Sequence, residues 1–143
     1  YSSAASDVYK RQELEMADII NEDRLRSWNH YYEGLQYLAE NGKIDLPCIP
    51  KECEHNAHMF YIKAKDLDER TKLISYMKEH GIGCVFHYIP LHSAPAGRRF
   101  GRFCGEDIYT TKESERLMRL PMYYGLKLED IDRVIETIEK FYK

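Results

Sequence analysis

The chain has 143 residues, 43% apolar and 31% charged, with a formal net charge of −3. That is the size of one ordinary domain and the composition of a folded globule, not of a disordered chain. The mild acidic excess argues against nucleic acid as a main partner; no apolar run of about 18 residues can span a membrane, and no export signal opens the chain, so a cytoplasmic location is expected.

Residues 1–12 (YSSAASDVYKRQ) are mostly small and polar, without an apolar period. They are expected to form a disordered tail, and they also resemble a translated cloning adaptor. From Glu13 the pattern changes. Leu14, Ala17, Ile20, Leu25, Trp28, Tyr31, Tyr32, Leu35 and Leu38 recur at helical steps, and Gly42 is placed to end the helix. Such a helix runs roughly 42 Å at 1.5 Å per residue. Its first half is expected to pack on a surface outside this chain.

Pro47 and Pro50 keep the next segment out of a helix. A strand is predicted over 58–64, then a short helix with Asp68 as its N-cap, Leu73, Ile74 and Met77 on its buried face and Gly81 after it. A second strand is predicted over 82–88, followed by a long loop over 89–107. Thr110 and Glu113 fit a capping box opening a helix through Leu117 and Met118. A third strand is predicted over 120–124, with Pro121 hinting at a sheet edge. Ile131, Val134, Ile135, Ile138 and Phe141 mark a last amphipathic helix. The sum is a small α/β (α+β) domain, a three-stranded sheet with flanking helices and a long N-terminal helix.

The cysteines, Cys48, Cys53, Cys84 and Cys104, lack the tight spacing of a disulfide-stapled domain and read as free thiols. Cys48, Cys53, His55 and His58 carry ligand chemistry suited to zinc, but their spacing is looser than a zinc knuckle, so satisfied loop residues are the stronger reading. The most loaded stretch is His87-Tyr88-Ile89-Pro90-Leu91-His92, where a strand runs into the long loop. Ligand groups are often presented at strand ends, and imidazoles and a phenol suit contacts to phosphate, hydroxyl or carboxylate. Packing and plain exposure explain the same residues equally well. Arg98, Arg99 and Arg102 add arginine forks nearby. There is no G-x-G-x-x-G, P-loop or G-x-S-x-G element. Composition and spacing therefore stop short of an activity.

Residues 56–63 (NAHMFYIK), 85–92 (VFHYIPLH), 95–97 (PAG), 105–107 (GED) and 109–117 (YTTKESERL) closely resemble, in order and spacing, members of the DegT/DnrJ/EryC1/StrS sugar aminotransferase family. The resemblance implies the C-terminal small domain of a fold-type I aminotransferase over 13–143, with the large domain that holds pyridoxal 5′-phosphate through a Schiff-base lysine lying outside this chain. It implies amino transfer from glutamate to a dTDP-4-keto-6-deoxy sugar, in a homodimer, with His87, Tyr88 and His92 orienting substrate. No catalytic residue is implied here, and this part alone is expected to be inactive. The alternative from the residues is a freestanding module binding an anionic sugar nucleotide through His87, His92, Arg98 and Arg99.

Overall fold

The computed structural model describes residues 4–143. Helices α1 (Ala4–Glu15) and α2 (Ala17–Glu40) lead into β1 (Phe60–Lys63), α3 (Leu67–Glu79), β2 (Val85–Phe86), α4 (Pro95–Phe100), α5 (Thr110–Arg116), β3 (Leu117–Leu120) and α6 (Leu128–Tyr142). The sheet order is β1-β3-β2, with β3 antiparallel to both neighbours. β1, α3 and β2 thus make a split βαβ unit, and β3 fills the gap between its two parallel strands.

The helices cover one face of the sheet. Trp28, Tyr31, Leu35 and Leu38 of α2 and Ile131, Val134, Ile135 and Ile138 of α6 pack with Leu73 and Met77 of α3 onto Phe60, Ile62, Met118 and Leu120. Strand alternation sends Tyr61, Lys63, Leu117 and Arg119 to the opposite face, where each is half-buried. Among the described residues, no helix is long and apolar enough to cross a membrane.

Several expectations are corrected. The stretch expected to be disordered is helical from Ala4 onward; residues 1–3 lie outside the described part. The helix expected as one piece from Glu13 is divided at Met16, yet the Met16 N–H still reaches the Gln12 carbonyl and the Ile20 N–H the Met16 carbonyl, so the axis is continued. α2 has buried residues only from Ser27 onward, and Leu14 and Ile19 stay exposed. The α3 cap is Asp66, not Asp68: its Oδ1 accepts from the Glu69 N–H at 2.9 Å. Asp68 sits in the first turn and pairs with Lys72. The strand predicted over 82–88 is paired only at Val85 and Phe86.

The largest shift is around β3. Leu117 and Met118, expected in a helix, open the strand instead, three residues before its predicted start. Met118 pairs with Ile62 on one side and Phe86 on the other, so β3 is the central strand. Pro121 lies just past its end, where the lack of an N–H costs no ladder bond. Thr110 is the first residue of α5, not its cap, and Asp107 accepts from the Thr111 N–H at 3.2 Å. The long loop contains α4, which begins at Pro95, a residue suited to a first helical position.

Candidate functional site

β2 sits at the sheet edge, and the chain leaves it through a sharp turn. Tyr88 adopts φ of +58°, a left-handed conformation uncommon for a residue with a Cβ. The turn brings the Tyr88 ring to 4.7 Å from the His87 ring, and the Arg119 guanidinium carbon lies 5.9 Å from the centre of the same Tyr88 ring. Tyr88 is 69% exposed. Arg119 reaches this place because it pairs with Val85 across β2 and with Tyr61 across β1. It also lines a cavity of about 220 Å³ with His58, Met59 and Val85. Phe86 turns the other way and packs against Arg70, whose Nε donates to the Glu115 carbonyl at 2.9 Å.

His92 has a different setting. Its Nε2 lies 2.8 Å from Asp107 Oδ2, and its ring lies 4.5 Å from that of Phe103. The Thr111 hydroxyl donates to the same Asp107 carboxylate. This hydrogen bond first, and His92 further, hold the Asp107 carboxyl below its ordinary range. His92 therefore ties the 89–107 segment to the start of α5. Among the described residues, no hydrogen bond or ring contact joins it to His87 or Tyr88. Arg98 and Arg99 are exposed on α4, with Arg99 over its own neighbour Phe100.

The zinc-like cluster is spread out. His55 packs edge-on against Trp28 at 4.6 Å, and His58 bonds Asn56. No group of three metal-ligating side chains is gathered among the described residues. Cys48, Cys53 and Cys104 are exposed free thiols. Cys84 is buried, and that burial pushes its thiol up to about 12.

A Schiff-base lysine needs an ammonium held out of water beside a cavity. No described lysine is buried. The one half-buried example, Lys63, lies 2.7 Å from the Glu113 carboxylate, which neutralises it. Among the described residues, no lysine has the burial that a Schiff-base role needs. Arg119 and Asp107 were not singled out by sequence. The available signal for Arg119 was a guanidinium inside the apolar run Leu117-Met118-Arg119-Leu120-Pro121-Met122.

The profile of the DegT/DnrJ/EryC1/StrS aminotransferase family matches residues 7–139. The chain belongs to that family. The "Pleiotropic regulatory protein" of Geobacillus stearothermophilus is 32% identical over 107 residues, 74% of this chain and 29% of that protein. The dTDP-3-amino-3,4,6-trideoxy-alpha-D-glucose transaminase of Micromonospora megalomicea is 25% identical over 132 residues, 91% of this chain and 34% of that protein. The crystal structure of NtdA from Bacillus subtilis with bound cofactor PMP superposes with a TM-score of 0.72 at 26% identity, covering 86% of this chain and 28% of that one. The chain thus spans about a third or less of the length of these relatives.

Proposed function

We propose that this chain is the small-domain part of a pyridoxal phosphate-dependent sugar-nucleotide aminotransferase. The reaction is amino transfer from glutamate to a dTDP-4-keto-6-deoxy sugar, giving a 4-amino-4,6-dideoxy sugar such as dTDP-4-amino-4,6-dideoxygalactose. Its place is the cytoplasmic synthesis of a surface polysaccharide of the enterobacterial common antigen type. The family match across residues 7–139 carries the reading. The Micromonospora relative supports a dTDP-linked substrate by its name, and the PMP-bound NtdA supports the cofactor.

The family's pyridoxal-binding domain would hold the cofactor, because no described lysine of this chain is placed to do so. His87 and Tyr88 would orient substrate hydroxyls at the edge of that site, and His92 would act through the loop that it holds in place. The exposed Ile89, Leu91, Phe100 and Ile108 would face the partner domain or the second subunit of a homodimer; Leu91 alone is 82% exposed.

The test joins this chain to a pyridoxal-binding domain of the family and follows amino transfer from glutamate to dTDP-4-keto-6-deoxyglucose. H87A and Y88F should each lower kcat/KM by roughly tenfold or more, the loss expected for a substrate hydrogen bond. No turnover of any dTDP-keto sugar would overturn the reading.

A further inference from the structure

The open face of the sheet carries a donor, Arg119, that the proposed roles do not use. The neighbouring arginines are engaged: Arg70 with the Glu115 carbonyl, Arg116 with the Ala64 carbonyl and the Asp45 carboxylate, Arg133 with the His80 carbonyl. Arg119 differs. Among the described residues, its Nε is shut off from solvent with no acceptor, and no ion pair reaches its guanidinium. Its cross-strand neighbours, Tyr61 and Val85, carry no charge. The Nδ1 of His87 is likewise shut off from solvent without a partner. The Tyr88 ring lies beside both groups, on the left-handed turn.

A buried donor without an acceptor is costly, and so is a left-handed residue other than glycine. Three such features fall on three side chains in one contiguous cluster. The guanidinium can only donate, a phenol can donate, and His87 Nδ1 donates in one tautomer. The group that satisfies all three is rich in acceptor oxygens and negatively charged, and the planar fork of arginine matches a phosphate or a carboxylate.

We propose that Arg119, with Tyr88 and His87, forms an oxyanion-recognition site for a substrate phosphate or carboxylate on the open face of the sheet. The assignment of that oxyanion to a substrate rests on the reading of the His87–Tyr88 turn as a substrate-facing element. Its test does not, because it needs neither cofactor nor sugar.

The test uses the 15N-labelled chain and follows its arginine Nε–H resonances by NMR. Inorganic pyrophosphate and glutamate are titrated separately, against sodium chloride at matched ionic strength. R119K identifies the Arg119 resonance by its loss, and an otherwise unchanged spectrum for R119K establishes that the fold persists. The Arg119 resonance should move saturably while those of Arg98 and Arg99 move only as they do in sodium chloride. Saturation by pyrophosphate alone assigns a phosphate, and saturation by glutamate alone assigns a carboxylate. R119Q should weaken binding by roughly tenfold or more and Y88F severalfold. Should R119Q not fold, R119K, which keeps the charge and loses the fork, should still weaken binding severalfold. An Arg119 resonance that follows the sodium chloride control with both anions overturns the proposal, as does unaltered binding by R119K. Loss of this site with amino transfer intact would remove only this inference. Anion binding with full turnover in H87A and Y88F would remove only the substrate role of the turn.

Discussion

Tyr31 joins the helical layer to the end of the central strand. It is fully buried, stacks on Phe60 at 5.1 Å, and donates its hydroxyl to the Pro121 carbonyl at 3.0 Å. Burial, followed by the charges of Cys84, Tyr123 and Asp130, raises its ionisation far above the ordinary phenol range. Tyr142 is raised as well, by burial and by its hydrogen bond to Glu69. The sign follows from linkage. The folded state keeps both phenols protonated while the unfolded chain releases their protons near pH 10, so their contribution is full below that pH and is lost above it. Y31F should lower stability by about 1 kcal/mol at neutral pH, because it leaves the Pro121 carbonyl without its donor. The double variant Y31F/Y142F should flatten the fall in melting temperature above about pH 10. An alkaline limb as steep as that of the parent chain would contradict this account.

The 89–107 segment shows how one element can be held by few contacts. α4 packs closely on the preceding turn: a Cβ at Gly97 would stand 1.6 Å from the Leu91 carbonyl oxygen, closer than any backbone allows. The other fastening is Asp107, which accepts from Thr111 and meets His92. The Asp107 carboxyl titrates below its ordinary range, so its contribution is present above about pH 4 and is lost as pH falls through the lowered value. D107N should speed proteolysis within 89–107 severalfold at neutral pH with little change in the melting temperature, because the core does not include this segment. Equal cleavage rates in D107N and the parent would remove the fastening role. In sequence this element was legible as a long, chemically loaded loop. Its tie to α5 was not, because that depends on residues brought together from 15 or more positions apart, His92 with Asp107 and Thr111.

At the scale of the whole molecule, one core joins α2, α3 and α6 to the sheet. Cys84 lies in that core, whereas Cys48, Cys53 and Cys104 are exposed. A thiol reagent should therefore modify three cysteines quickly in the folded chain and reach the fourth at the rate of global opening. I138A, which empties a fully buried site between α6 and the sheet layer, should cost roughly 2–5 kcal/mol and speed Cys84 labelling in proportion. Fast labelling of Cys84 in the parent chain would show that it opens locally and that the core does not act as one unit.

What the amino-acid order determined by itself was local. The apolar period of α2 and α6, the glycine stop after α3 and the strand character near 60–63 follow from side-chain type at near positions, and they came out within a few residues of their places. Resemblance in short motifs also brought the family within reach, because those motifs lie within continuous stretches of chain. Tertiary structure alone decided the rest. Leu117 and Met118 suit a helix by their immediate neighbours, but pairing to Lys63, Ile62 and Phe86 makes them strand and places β3 at the centre. The same pairing sets Arg119 on the open face near Tyr88, from a position 31 residues away in the chain. Such placements depend on hydrogen-bond partners distant in sequence, and the energy of those pairings outweighs the weak local preferences of a seven-residue segment.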